Sequence, residues 1–319
     1  MRRFLARHYW VTGLAVLFVL MLGLTRIIQP GFGISGLESV TRAALPYAFA
    51  TAAMSITIIA GGIELSVASM MAVGGTLSAV LMAKWGVAGT VPALLVVMLA
   101  GAAMGAVNGV AVVLSRVPDI VVTLAMMYVW GGVALLILNG PGGTATPWLR
   151  ELILGQVPLP GLRWLPQAAL VMAVVIGGIW WSLRRSKLGL SIYAIGSDQT
   201  AAFRSGVAVG PTRVAAYAIG GMLAALGGLS LTLSTGVGEP IPGPYLMASV
   251  AAAVLGGVAL TGGIGGILGP VIAVFILRLA RLDLTLMSVD PNVTTIVEGT
   301  IMAVVVMIGG LVALREKRR

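Results

Sequence analysis

Long apolar stretches, separated by short polar or glycine- and proline-rich turns, run along almost the whole chain. Most of them have about 20 residues, the length that a helix needs to cross a bilayer. Turns such as Pro30-Gly31 and Asp290-Pro291-Asn292 separate them. The pattern predicts ten transmembrane helices, at residues 10–28, 44–60, 68–83, 90–114, 119–138, 166–183, 211–234, 245–260, 264–282 and 294–312.

The composition of the chain supports a membrane protein. Hydrophobic residues make up 59% of its 319 residues and charged residues only 9%, whereas soluble domains carry about 25% charged residues. This excludes a soluble enzyme, a disordered chain and a transmembrane barrel with alternating polar positions. Because 44 glycines and 15 prolines favour close packing and broken helices, we expect an all-α polytopic membrane protein with broken or re-entrant segments. It would form one transmembrane domain over residues 1–319.

The distribution of charge predicts the orientation of the chain. The net charge is +10, and cytoplasmic loops of membrane proteins carry an excess of Lys and Arg. With ten crossings, most basic residues fall on the side that holds both termini, which predicts cytoplasmic N- and C-termini. Residues 139–165 then form an external loop, and residues 184–210 form the one sizeable cytoplasmic segment. A nucleic-acid partner is not expected, since no soluble domain remains to bind one.

The chain lacks the residues for several kinds of chemistry. It has no cysteine and one histidine, which excludes thiolate chemistry, a cysteine metal site and a Ser/His/Asp triad. The phosphate-binding pattern GxxxxGK[ST] does not occur. We therefore expect neither an enzyme nor a resident cofactor or metal. An ion-coupled transporter would need an acidic residue within the membrane, and Glu64 and Glu298 are the best candidates.

Two glycines, an acid and two hydroxyls interrupt the apolar pattern in Gly61-Gly62-Ile63-Glu64-Leu65-Ser66-Val67-Ala68-Ser69. Exposed backbone and a carboxylate are costly against lipid, so this segment should face protein, water or a cavity. An equally good interpretation is a turn between helices whose glutamate caps the next helix.

Glycines recur at every fourth position in the predicted helix 90–114, at Gly101, Gly105 and Gly109. They form a smooth strip against which another helix can pack closely, and Asn108 beside them can form a hydrogen bond across that contact. Packing is the favoured interpretation of this strip, and a role of Asn108 in a solute pathway is the alternative.

A second glycine-rich segment, from Leu255 to Pro270, contains the pairs Gly256-Gly257 and Gly262-Gly263. Such a density of glycine and proline destabilises a continuous helix. We predict a tight turn between two helices, with close approach of the backbone.

Within the predicted cytoplasmic segment, Ser197 or Asp198 is suited to cap a short helix from Gln199 to Ser205, which Gly206 would end. The helix carries apolar and basic side chains outside the membrane. It either lies on the lipid surface or docks in a groove of a partner protein.

These four segments, in this order and spacing, resemble the permease subunits of the ribose/arabinose/galactose-type sugar importers of the ABC superfamily. The family sequence GGIDLSVG is similar to GGIELSVAS at 61–69, with Glu64 in place of Asp. Three further family patterns match at Asn108-Gly109 through Leu124, at Tyr193 to Val207, and at Ala253 to Gly269. The chain departs from the family in having Pro118-Asp119 where the family has a proline pair, and no acids in 244–250.

The resemblance implies a transport cycle shared among several subunits in the bacterial inner membrane. Two permeases, either two copies or a copy and a sister chain, would form the pore, and the sequence leaves both arrangements open. A periplasmic binding protein would deliver a pentose, hexose, polyol or autoinducer-2-like solute, and separate ATPase subunits would hold Mg-ATP. Ion-coupled secondary transport of a small polar solute is the alternative.

By the same resemblance, the short helix in the cytoplasmic segment would couple the permease to the ATPase, through Asp198, Gln199, Ala201, Ala202, Arg204, Ser205 and Gly206. The candidates for the solute pathway are Glu64, Ser66, Asn108 and Thr123. The structural glycines are Gly61, Gly62, Gly101, Gly105, Gly109, Gly256, Gly257, Gly262 and Gly263.

Overall fold

A computed structural model describes residues 9–156 and 165–317 of the chain. These residues form thirteen helices and no strand of more than an isolated bridge. The helices are α1 Tyr9–Ile28, α2 Ile34–Ile59, α3 Val67–Trp85, α4 Thr90–Ser115, α5 Asp119–Ile137, α6 Pro147–Leu154, α7 Gln167–Arg185, α8 Lys187–Ser197, α9 Gln199–Arg204, α10 Val209–Thr235, α11 Tyr245–Leu255, α12 Leu268–Leu286 and α13 Pro291–Lys317.

Seven of the described helices are long and apolar enough to cross a membrane: α1, α2, α3, α4, α5, α7 and α10. The prediction of an all-α polytopic membrane protein is thereby confirmed. The helices α11 and α13 contribute shorter apolar stretches, and α12 carries Arg278, Arg281 and Asp283. The count of ten crossings and the cytoplasmic termini stay predictions. Residues 1–8 and 318–319 lie outside the described residues.

Several helix boundaries differ from those predicted. The helix predicted to begin at 44 begins at Ile34, because Glu38 and Arg42 face each other one turn apart, 3.8 Å between charged atoms, and extend the helix with polar residues. The helix predicted to end at 260 ends at Leu255, where Gly256 follows. Helix α7 contains one π-helical turn at Met172–Ile176, which the apolar pattern does not indicate.

The predicted external loop 139–165 is not wholly a loop. It contains α6, which begins at Pro147 and ends before Gly155. Proline fits the first turn of a helix, where its missing N–H group is not needed. Leu149 and Leu154 of α6 are buried against the bundle. Residues 157–164 of this loop lie outside the described residues.

Helix α10 lies at the centre of the bundle and contacts α2, α3 and α4. The glycine strip of α4 packs directly on its backbone. A Cβ atom added at Gly101 would lie 2.6 Å from the Gly221 carbonyl oxygen, and one at Gly109 would lie 2.8 Å from the Cα of Val214. The predicted close helix packing at Gly101, Gly105 and Gly109 is confirmed.

A second close contact joins α10 to α3. A Cβ atom at Gly75 would lie 3.1 Å from the Gly228 carbonyl oxygen, and the Thr232 hydroxyl donates a hydrogen bond of 3.0 Å to the Gly75 carbonyl oxygen. In a lipid environment, packing between small residues supplies the attraction that the hydrophobic effect supplies in water. Helix α10 is therefore held between two helices by backbone contacts on two faces.

The described connections gather at two ends of the bundle. At the first end, the segments 60–66, 186–208 and 256–267 meet, where the Gly263 N–H group donates to the Ile59 carbonyl oxygen at 2.9 Å. At the second end, the segments 138–146 and 236–244 meet, where Gly142 and Gly238 form two backbone hydrogen bonds of 3.1 and 2.8 Å. The polar side chains described below lie in two groups, one near each end.

Gly105→Ala is expected to destabilise the fold, because the added Cβ would collide with the Tyr217 carbonyl group, which is backbone and cannot turn aside. Overpacking of this kind costs about 1–3 kcal/mol, so the melting temperature of detergent-solubilised protein should fall. Gly132→Ala is the matched control, since a Cβ there meets nothing within 4 Å. Equal melting temperatures for the two variants would contradict the close crossing of α4 and α10.

Candidate functional site

The segment between α7 and α10 forms two helices at the first end. Ser186 begins α8, its hydroxyl accepting a hydrogen bond of 3.1 Å from the Gly189 N–H group. Asp198 begins α9, and its carboxylate accepts bonds from the N–H groups of Thr200 and Ala201 at 2.8 and 2.9 Å. The predicted short helix and its Asp198 cap are confirmed, whereas α8 was not predicted as a helix.

The end of α9 is also as predicted. Gly206 has φ = +84°, in the left-handed region that favours glycine. Gln199, Ala201, Arg204, Ser205 and Gly206 are exposed, while Ala202 is buried and packs inward.

Phe203 is the residue of α9 that the sequence analysis missed. Its side chain is 69% exposed, so α9 presents an aromatic ring on its outer face. The signal in the sequence was its place next to the small residue Ala202. If Ala202 packs inward, the next residue of the helix points about 100° away from it, toward the outside.

The two helices rest on the glycine-rich turn 256–267. The Tyr193 hydroxyl donates a hydrogen bond of 2.7 Å to the Gly265 carbonyl oxygen. Burial raises the pKa of Tyr193 above its ordinary value, which keeps the hydroxyl protonated as a donor. Gly262 has φ = +84°, and a Cβ there would lie 2.9 Å from the Cα of Gly61. The structural glycines predicted in two separate segments thus meet, and the tight turn is confirmed.

Glu64 is the centre of a buried hydrogen-bond network just inside the first end. Its carboxylate accepts from the backbone N–H and hydroxyl of Ser66, at 2.8 and 2.6 Å, and from the Asn108 amide at 2.7 Å. The Trp130 indole donates to the Asn108 side-chain oxygen at 2.9 Å. Glu64 is only 1% exposed. A buried carboxylate is stable when several donors surround it, and this network joins the segment 60–66 to α4 and α5.

Thr123 completes the junction, since its hydroxyl donates to the carbonyl oxygens of Ile63 and Asp119 at 3.0 and 2.9 Å. The structure therefore brings together all four residues predicted for the solute pathway, Glu64, Ser66, Asn108 and Thr123, and buries them among protein groups. Trp130 is a member of the network that the sequence analysis did not name. Whether solute passes along this network stays a prediction.

An ion pair lies beside this network. Arg213 of α10 contacts the Asp119 carboxylate at 2.7 and 2.6 Å, and the Tyr217 hydroxyl donates to the same group at 2.8 Å. A Cβ atom at Gly62 would lie 2.6 Å from the Tyr217 hydroxyl, so a larger residue there would displace the Tyr217 side chain. Asp119, which stands where the resembling family has a second proline, therefore ties the start of α5 to α10.

A cleft of about 790 Å³ opens at the second end, and none of the four pathway candidates lines it. Its walls include three arginines, two tyrosines and Glu151. The described residues include no group of three or more His, Cys, Asp or Glu side chains placed to hold a metal ion.

Asn108→Ala is expected to lower the melting temperature of the purified protein. It removes a donor from the buried Glu64 and the acceptor of Trp130, and a buried group left without its partner costs about 1–3 kcal/mol. Asn139→Ala, at an exposed position, is the matched control. The double variant Asn108→Ala/Glu64→Gln should recover part of the loss, because a glutamine amide cannot become a buried charge that lacks a donor. No difference between Asn108→Ala and the control would disprove the network's structural role.

Comparisons with known proteins place this chain in a family. The family described as "Branched-chain amino acid transport system / permease component" matches residues 36–306. The chain is 30% identical to the ribose import permease protein RbsC of Escherichia coli K12, over 92% of this chain and 91% of that protein. The RbsC protein of Bacillus subtilis is 31% identical, with 80% and 78% covered. The xylose transport system permease protein XylH of Escherichia coli K12 is 29% identical, with 79% of each covered.

No solved structure matches the chain. The family match covers most of the chain, and the curated relatives match along most of their own length. The resemblance found in the four sequence segments is thereby confirmed. The chain belongs to this family of transport-system permease components and is a multi-pass protein of the inner membrane.

Proposed function

We propose that the chain is the permease subunit of a bacterial ABC importer that moves a monosaccharide across the inner membrane. The observation that carries this proposal is the similarity, over most of the chain, to permeases named for ribose and xylose. A pentose is therefore the first solute to test, ahead of a hexose, a polyol or an autoinducer-2-like molecule.

The energy for transport would come from separate subunits. The sequence holds no phosphate-binding loop, so Mg-ATP would be bound and hydrolysed by a partner ATPase. Helix α9 is the element suited to receive that partner, since its cap fixes its start and its exposed face carries Phe203 and Arg204. A buried aromatic anchor at the centre of a small contact supplies much of the binding energy in such interfaces.

A route for the coupling follows from the contacts beneath α9. Movement of α8 and α9 would act on the glycine-rich turn through Tyr193 and Gly265, and on the segment 60–66 through Gly196 and Gly61. That segment is joined to α4 and α5 by the Glu64 network. ATP binding in the partner would thereby shift the bundle between two states that expose the solute to opposite sides.

The proposed topology has ten crossings, with α11, α12 and α13 added to the seven long apolar helices. The first end faces the cytoplasm together with both termini, and the second end faces the periplasm. The loop 139–165 would then lie where a periplasmic binding protein delivers the solute. A second copy of the chain, or a sister permease, would complete the pore.

Ion-coupled secondary transport is the weaker proposal. It needs an acid free to bind and release a proton or sodium ion. Glu64 is surrounded by donors, and Glu298 contacts Arg278 and Arg281 at 3.3 and 2.9 Å. These partners favour structural roles for both acids.

The direct test is to purify the tagged chain from its native membrane in mild detergent and identify the proteins that accompany it. We expect an ATPase subunit in about 1:1 ratio to permease chains, as the two-permease, two-ATPase arrangement requires. Reconstituted with its binding protein, the complex should take up D-ribose or D-xylose only with ATP. Recovery of the chain alone, with uptake abolished by a proton uncoupler and by Glu64→Gln, would support secondary transport instead.

Phe203→Asp is expected to release the ATPase subunit from the purified complex, because a charge would replace the exposed aromatic anchor of α9. We expect a loss of at least about tenfold in ATPase recovered per permease, the effect of removing about 1.4 kcal/mol of binding energy. Val87→Asp is the matched control, since Val87 is exposed to a similar degree but lies at the second end. Full retention of the ATPase by Phe203→Asp would exclude α9 as the coupling helix.

A further inference from the structure

The cleft at the second end has the size and the lining of a small-molecule site. Its volume of about 790 Å³ falls within the range of roughly 300–1,000 Å³ that is typical of ligand pockets. Residues of α2, α6, α10, α11 and α12 line it. A site shared among so many helices changes shape when those helices move relative to one another, as a solute site in a transporter must.

One wall of the cleft is a fixed stack of aromatic and cationic groups. The rings of Tyr47 and Tyr245 lie 4.5 Å apart, tilted by 44°. The Arg278 guanidinium lies 4.0 Å from the Tyr47 ring centre, on the ring face. Glu298 holds that arginine at 3.3 Å. Because each member is held by the next, the two tyrosine rings are set in place before any ligand arrives.

The hydroxyl groups of this wall are available to a ligand. Within residues 9–156 and 165–317, neither the Tyr47 nor the Tyr245 hydroxyl has a hydrogen-bond partner. Neither hydroxyl oxygen is among the fully buried atoms without a partner, and both residues line the cleft. A phenolic hydroxyl both donates and accepts. The two together match the hydroxyl groups of a polyhydroxylated ligand, which also donate and accept.

Further polar groups face the same space. Arg42 and Arg150 offer guanidinium donors, and Glu151 offers a carboxylate acceptor. Pro46, which also lines the cleft, lies inside α2. Proline has no N–H group, so it cannot make the usual helical bond to the Arg42 carbonyl oxygen. The cleft is therefore bordered by both hydrogen-bond donors and hydrogen-bond acceptors.

Two of the three arginines that line the cleft are paired with carboxylates, which bears on whether the ligand is neutral or anionic. Arg42 lies 3.8 Å from Glu38, and Arg278 lies 3.3 Å from Glu298. Arg150 lies 3.4 Å from the Ser234 carbonyl oxygen, and the carboxylate of Glu151 also lines the cleft. An anion-binding site would leave its arginines without carboxylates nearby, so this lining favours an uncharged ligand.

We propose that this cleft is the site where the permease receives a neutral monosaccharide, with the ligand hydroxyls bound by Tyr47, Tyr245, Arg42, Arg150 and Glu151. This proposal rests on the proposed function and adds to it the residues that contact the solute. It places the solute contacts at the second end of the bundle, away from the Glu64 network.

The natural absence of cysteine allows a direct test. Ala43→Cys and Ala145→Cys place a single thiol in the cleft lining. In intact cells that carry the complete transporter, a membrane-impermeant thiol reagent should label both. Saturating D-ribose or D-xylose, whichever is taken up, should slow the labelling by at least about fivefold, because an occupied site excludes the reagent. Ala88→Cys, exposed in the connection of α3 to α4 at the same end, should be labelled without protection.

A second set of variants tests the hydroxyl contacts without changing the packing. Tyr47→Phe and Tyr245→Phe keep the rings and remove the hydroxyls, and each should lower sugar uptake below saturation by about tenfold. Copurification of the ATPase should be unchanged. Tyr128→Phe is the matched control, since Tyr128 lies on α5 with 74% of its surface exposed.

The outcomes separate this proposal from the proposed function. If the wild-type complex takes up either sugar with ATP but the thiols are not protected and both phenylalanine variants transport normally, the cleft is not the sugar site and the importer function stands. If the wild-type complex retains no ATPase and takes up neither sugar, the importer function fails, and the cleft proposal fails with it.

Discussion

The contacts of α10 with α3 and α4 are made by backbone atoms, and the arrangement of the other elements depends on them. Glycines on both sides of each contact allow the main chains to approach more closely than any side chain would permit. Helix α10 then carries Arg213 and Tyr217 to one end of the bundle and Ser234 to the other. Both polar regions of the molecule are therefore positioned by the same close crossings.

Burying a polar group costs free energy unless it has a hydrogen-bond partner, and the two polar regions differ in how far their groups are paired. At the first end, Glu64, Ser66 and Asn108 bond to one another and Thr123 bonds to the adjacent Ile63 carbonyl oxygen, so the network is closed and stiff. At the second end, Arg42 and Arg278 are paired with carboxylates, but the hydroxyls of Tyr47 and Tyr245 have no partner and border a cleft. A closed network suits the transmission of movement between helices, and an open one suits the binding of a ligand.

Much of the fold could be predicted because long apolar helices have a strong signal. The boundaries of α3, α4, α5 and α10 differ from the predicted ones by at most two residues. The start of α2 was missed because Glu38 and Arg42 look like loop residues until their pairing is seen. Helix α6 was missed because eight residues are too few for a clear periodic pattern.

The sequence by itself determined the membrane location, the family, the glycine contacts and the capped helix α9, since each depends on composition or on residues near one another in the chain. It also named the buried residues Glu64, Ser66, Asn108 and Thr123, through their motifs, but not that the first three would bond to one another and Thr123 to the adjacent Ile63. Only the tertiary structure decided that, and only it brought Tyr47, Arg150, Tyr245 and Arg278 to one cleft. These residues lie on four different helices, and no local pattern encodes which helices become neighbours.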